Sequence, residues 1–195
     1  MYEPLAYTME YGGKRIRPQL VLLTCKLFGG DLEKAFLPAY GIELFHNFTL
    51  LHDDIMDNSE LRRGRLSVFK KFGLNSGILS GDLMMVLALK LASEDENGVN
   101  KNMYDLMVRT SIELYEGQQY DVDFEGRNDV RQEEYLKMIE LKTSVLIACA
   151  MQIGAILADA NADYQSKIYE FGRNIGLSFQ IQDDLLEIYS DSINM

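Results

Sequence analysis

Asp53 and Asp57 stand four residues apart at the end of an apolar run, and Asp183, Asp184 and Glu187 repeat the arrangement after a second such run. At helical spacing the two carboxylates of the first cluster leave one face with their Cβ atoms about 6 Å apart, where like charges repel unless solvent, a base or a metal ion relieves them. Oxygen-only donor sets suit a hard cation such as magnesium, which takes one or two carboxylates and completes its shell with waters and phosphate oxygens. Neither cluster contains His or Cys, which argues against zinc. A lone acidic pair is most often a solvated helix end. Here Phe45 to Leu51 and Ile175 to Ile181 precede the clusters, so two buried helices could present Asp53, Asp54 and Asp57 opposite Asp183, Asp184 and Glu187 across one cavity.

Two basic segments complement them. Gly12-Gly13-Lys14-Arg15-Ile16-Arg17-Pro18 sets three cations within four positions of a flexible backbone, and Pro18 suits the first turn of a helix whose amide end itself favours anions. Arg62-Arg63-Gly64-Arg65 follows directly on the first acidic cluster, with guanidinium forks that match phosphate oxygens. The first stretch alone would read more readily as a solvated basic loop. In a chain of net charge −11 such local basicity is informative, and the same charge argues against nucleic-acid binding, which depends on Lys and Arg.

The elements that must position these residues are helical. With 195 residues and 47% hydrophobic content the chain can bury one sizeable core, and one domain over 1–195 is expected. Apolar periodicity predicts helices over Gln19 to Phe28, Leu32 to Asp57 with Asp31 as cap, about Ser80 to Ser93, Asn100 to Asp123, Val130 to Ala158, and Asn161 to Tyr189. Pro38 and Gly41 predict a break or kink near the start of the second of these. Asn58 to Ser67 reads as a loop, and no run of alternation bounded by hairpin turns is evident. No apolar run approaches the roughly 20 residues of a bilayer span, so no stable membrane insertion is expected. Without a basic segment followed by an apolar run at the N-terminus, and with Cys25 and Cys149 in apolar surroundings, a soluble cytoplasmic location is expected.

In order along the chain, Gly12 to Pro18, Leu51-His52-Asp53-Asp54-Ile55-Met56-Asp57, Leu61-Arg62-Arg63-Gly64, Glu116-Gly117-Gln118 with Asp121, Lys142-Thr143, and Phe179-Gln180-Ile181-Gln182-Asp183-Asp184 resemble the trans-isoprenyl diphosphate synthases, the polyprenyl synthetase family. The resemblance implies an all-α isoprenoid-synthase bundle around a central cavity, commonly a homodimer. It implies magnesium on Asp53, Asp57 and Asp183, with Asp54, Asp184 and Glu187 completing or supporting the clusters. Lys14, Arg17, His46 and Arg63 match positions that hold the diphosphate of isopentenyl diphosphate, whereas Arg62 and Lys142 match contacts to an allylic diphosphate. Thr143 and Gln180 match positions whose oxygens lie near a developing allylic cation; Gln118 and Asp121 fit a polar helix face equally well.

Chain length in that family is set by side chains beneath the first acidic cluster. Phe48 lies roughly 7.5 Å before Asp53 along the helix, and with Thr49 beside it the floor is expected to be partly blocked, for products of about fifteen to twenty-five carbons, leaning to twenty. His52 is expected to orient neighbours. Two departures stand out: Glu187 replaces the usual Asp, and the family continues with further helices beyond Met195, so an incomplete bundle with a short or missing first helix is expected. A class I terpene cyclase would share the bundle but would not need the Gly-Gly-Lys-Arg segment. A non-catalytic subunit of a heteromeric synthase would show loss of the acidic residues, which are present here.

Overall fold

The computed structural model describes residues 1–10 and 12–193, apart from the side chains of Glu187 and of residues 190–193. In chain order the elements are α1 (Tyr2–Met9), α2 (Ile16–Leu27), α3 (Leu32–Met56), β1 (Leu61–Arg62), β2 (Arg65–Leu66), α4 (Val68–Phe72), α5 (Leu74–Ser93), β3 (Glu94–Asp95), β4 (Gly98–Val99), α6 (Lys101–Phe124), α7 (Gln132–Ile139), a π-helical turn (Glu140–Ser144), α8 (Val145–Leu157) and α9 (Ala162–Ile193). The helices form the expected all-α bundle: α3 packs along α5, and α2 lies against α3 and α8, which in turn packs on α9. Ile42, Leu44, Phe45, Met84, Met107 and Ile153 form its fully buried centre.

Several elements start where their caps predict. Asp31 Oδ1 accepts from the Glu33 amide at 3.0 Å, and Asn100 Oδ1 from those of Asn102 and Met103 at 3.1 and 3.3 Å, satisfying amides that lack intrahelical partners. The expected break at Pro38 is not found: α3 runs unbroken through it. Its path is held by close packing, since a Cβ on Gly41 would lie 2.3 Å from the Ala92 amide nitrogen of α5.

Three further corrections concern boundaries and runs. The expected loop Asn58 to Ser67 contains an antiparallel β1–β2 ladder turning at Arg63 and Gly64, whose φ of 52° and 77° suit a tight primed turn; two-residue strands are too short for alternation to reveal. The helix predicted over Val130 to Ala158 is divided by the π turn. Leu74–Ser93 and the continuous segment Gln132–Leu157 are each long and apolar enough to cross a bilayer, contrary to the expectation from uninterrupted runs. Their scattered polar residues interrupt the run without lowering the average, and the second is mostly enclosed by the bundle. Cys25 and Cys149 are free and fully buried.

Candidate active site

A cavity of about 800 Å³ is bounded by the start of α2, α3, the β1–β2 hairpin, α6, the π turn and α9. One wall is basic. Lys14, Arg17, His46, Arg62 and Arg63 line it. Arg15 forms the N-cap of α2 and turns its guanidinium to the Met9 carbonyl, at 2.8 Å, and to the buried carboxylate of Glu43. Glu43 also accepts from Asn47 Nδ2 at 2.8 Å. This acidic residue in the basic wall carries no sequence signal, because it sits inside an apolar helical stretch. Burial holds His46 well below the usual histidine range, and Arg17, Arg63, Arg15 and Arg62 add to the effect. The neutral ring therefore accepts from Arg17, whose Nη1 lies 3.3 Å from its Nε2. Burial lowers Arg17 to about 10, which leaves it protonated at neutral pH, and its Nε is buried without a hydrogen-bond partner. An orphan donor in a basic wall is a group that an anionic oxygen would satisfy.

The acidic residues divide. Asp53 and Asp183 line the cavity from α3 and α9. Burial pushes Asp53 up to about 6, with Lys142 opposing and Asp57 adding, so this carboxylate is held at an electrostatic cost that a bound cation would relieve. Asp57 caps α3 at an exposed position beyond the lining. Asp54 is only 3% exposed in its side chain and accepts from Arg62 Nε at 2.9 Å. Burial raises its pKa even so, with the Arg62 hydrogen bond opposing. Asp184 accepts from Tyr135 Oη and from Gln180 Nε2, the latter at 2.7 Å. Successive helical residues point about 100° apart, so Asp54 and Asp184, expected to complete or support the clusters, turn from their neighbours and are engaged by Arg62 and by Tyr135 and Gln180. The side chain of Glu187 lies outside the described residues. Among the described residues, no three acidic, His or Cys side chains converge to cage an ion by themselves. Carboxylates on two separate walls fit a magnesium ion that keeps part of its water shell and shares phosphate oxygens.

Between the walls stands the π turn. It carries Lys142, which is ion-paired with Asp121, and Thr143, whose hydroxyl donates to Gln180 Oε1 at 2.9 Å. Both line the cavity, as do Gln180 and Gln118. Two glycines let neighbouring helices press on the turn: a Cβ on Gly117 would lie 2.4 Å from the Lys142 amide nitrogen, and one on Gly176 2.6 Å from the Ser144 Cα. Arg173 Nη1 holds Glu140, the first residue of the turn, at 3.1 Å. A π insertion frequently marks a functional site; here it brings Lys142 and Thr143 to one surface.

A second cavity of about 270 Å³ shares Thr49, Asp53, Leu114 and Gln118 with the first. Phe48 forms part of it, buried and edge-on to His52 at 4.9 Å and Tyr115 at 6.3 Å between ring centroids. Tyr115 contributes from α6 and has no distinguishing local sequence pattern. His52 faces this second cavity and Gly81 rather than the first.

Residues 1–195 match the family model described as polyprenyl synthetase. The geranylgeranyl diphosphate synthase of Saccharolobus solfataricus is 44% identical over 185 residues, 92% of this chain and 55% of that protein. A crystal structure of geranylgeranyl pyrophosphate synthase is similar with a TM-score of 0.91 and 48% identity, over 96% of this chain and 57% of that one. The polyprenyl synthase of Caulobacter crescentus, solved in complex with calcium and isoprenyl diphosphate, is similar with a TM-score of 0.83 and 32% identity, over 89% of this chain and 52% of that one. The chain therefore spans a little over half the length of these relatives. A match of this extent, on a cavity with a basic wall, two acidic walls and a π turn between them, makes the chain a member of the polyprenyl synthetase family.

Proposed function

We propose that this protein is a prenyltransferase that condenses an allylic diphosphate (dimethylallyl, geranyl or farnesyl) with isopentenyl diphosphate to a trans-polyprenyl diphosphate of about fifteen to twenty-five carbons. The observation that carries this is the single cavity in which the basic residues Arg17, Arg62 and Arg63 meet Asp53 and Asp183 around the π turn. Lys14, Arg17 and Arg63, with the neutral His46 orienting Arg17, hold the diphosphate of isopentenyl diphosphate. Asp53 and Asp183, with Asp57 at the rim, hold magnesium, while Arg62 and Lys142 contact the allylic diphosphate. Asp54 keeps Arg62 in place.

Bound magnesium supplies charge stabilisation to the departing diphosphate, lowering the barrier to breaking the allylic carbon–oxygen bond. The chain's own residues do the rest. The basic wall fixes isopentenyl diphosphate so that its double bond faces the allylic carbon, which converts an encounter of two substrates into a positioned reaction. Thr143 and Gln180 present oxygens to the allylic cation. The new bond leaves a tertiary cation on the former isopentenyl unit, and the departing diphosphate takes the proton whose loss restores a double bond. The apolar second cavity receives the growing chain, with Phe48 as its floor and Thr49 at its mouth. The apolar side chains Leu79 and Val86, seven residues apart and exposed on α5, support a homodimer.

Incubating the protein with magnesium, isopentenyl diphosphate and geranyl or farnesyl diphosphate tests this. The expected product is mainly of twenty carbons and depends on the metal. A cyclised hydrocarbon, or no condensation, would overturn the reading. Phe48→Ala is expected to lengthen the product, and an unchanged length would remove Phe48 from its role.

A further inference from the structure

A chain of hydrogen bonds crosses the cavity wall from α7 to the π turn. Tyr135 Oη donates to Asp184 Oδ2; Gln180 Nε2 donates to Asp184 Oδ1 at 2.7 Å; Thr143 Oγ1 donates to Gln180 Oε1 at 2.9 Å. Every proton in the chain points toward Asp184. The chemistry of the groups dictates this polarity. An ionised carboxylate only accepts, so the Gln180 amide must turn its NH2 to Asp184 and its oxygen to Thr143. A hydroxyl has one proton, and Thr143 commits it to that oxygen. The lone pairs of Thr143 Oγ1 are then what the hydroxyl can offer to the cavity that Thr143 lines.

We propose that Tyr135 and Asp184 are positioning residues that set this polarity, so that Thr143 meets the allylic cation as an acceptor and never as a donor. The proposal rests on the condensation reading above. Gln180 without a fixed neighbour could flip its amide, and Thr143 could then aim its proton at the cation. Tyr135 prevents this by pinning one oxygen of Asp184 from α7, leaving the other in line with Gln180. Tyr135 and Asp184 themselves are outside the cavity lining, whereas Thr143 and Gln180 are within it. Preorganised dipoles of this kind need no reorientation as charge develops, which is where their effect on rate arises.

The test compares two probes in the presence of magnesium. One is an allylic thiolodiphosphate, an unreactive mimic of the substrate with an uncharged tail; the other is an ammonium analogue that places a positive charge where the cation forms. Tyr135→Phe is expected to weaken the ammonium analogue about tenfold, to leave the thiolodiphosphate unchanged, and to lower kcat without changing KM for isopentenyl diphosphate. Asp184→Asn, whose amide can face Gln180 either way, is expected to show the same selective loss. In a Thr143→Val background Tyr135→Phe should have no further effect on the preference between the probes. Equal weakening of both probes by Tyr135→Phe would overturn the proposal by assigning Tyr135 to general structure. A higher magnesium requirement in Tyr135→Phe would overturn it by making Asp184 a metal ligand. Failure of the parent to bind either probe would overturn the condensation reading and this proposal with it.

Discussion

The two acidic segments share a pattern of residues but not an environment. On α3, Asp53 is buried enough to be pushed up to about 6 and Asp54 is nearly inaccessible against Arg62. On α9, Asp183 is exposed, Leu185 and Leu186 beyond it are exposed too, and Asp184 is half-buried among polar partners. In both, the first carboxylate faces the cavity and the second is held by the protein. The difference lies in the holder: a guanidinium on α3's side, a phenol and an amide on the other. A charged partner anchors and neutralises Asp54, whereas neutral donors leave Asp184 free to polarise what it touches.

Substitutions can separate these roles. The largest effect is expected from the first carboxylates: Asp53→Asn and Asp183→Asn should each lower kcat/KM by about 10²–10³-fold with folding intact, because each removes charge that, on the proposed reading, would hold the metal. Steady-state kinetics against magnesium concentration checks this. Next comes Arg62→Gln, which leaves Asp54 buried without its ionic partner and should cost about 3 kcal/mol by urea denaturation. Gly176→Ala should cost about 2 kcal/mol, because the new Cβ would press on Ser144 of the π turn, and kcat should fall with it as Lys142 and Thr143 shift. The smallest stability change is expected for Tyr135→Phe, about 1 kcal/mol for one hydrogen bond to a half-buried group. If Arg62→Gln and Tyr135→Phe destabilised equally, the contrast between the two holders would fail.

What the sequence carries, and what it does not, follows the range of the interactions. Asp53, Asp183, Arg17 and Arg62 are legible because runs of like charge directly beside apolar helical stretches are a local pattern, and the acidic and basic runs complement one another along the chain. The caps Asp31 and Asn100 act within three residues and are legible for that reason. The π turn is not, since Glu140 to Ser144 has the pattern of ordinary helix and its shape accompanies the approach of Gly117 and Gly176 from other helices. Tyr135 is hidden similarly: its partner Asp184 is 49 residues away, and a tyrosine is unremarkable on an amphipathic helix. Glu43 is an acidic residue in an apolar stretch whose reason is Arg15, brought to it from 28 residues away. Pro38 and Gly41, by contrast, give a local signal for a break, yet α3 continues through both and Gly41 lies in close contact with Ala92 of α5.

The cavity-facing carboxylates Asp53 and Asp183, with Asp57 at the rim, are expected to hold metal against a diphosphate, and crystals of the protein with manganese and an allylic thiolodiphosphate test this most directly, by anomalous scattering. The predicted result is metal bridging the diphosphate and bound by Asp53 on one wall and Asp183 on the other, at close to the roughly 2.1 Å of hard-cation–oxygen bonds, with Asp54 still on Arg62 and Asp184 still on Tyr135. Metal bound through Asp54 and Asp184, or a diphosphate held with no metal at Asp53 or Asp183, would contradict it.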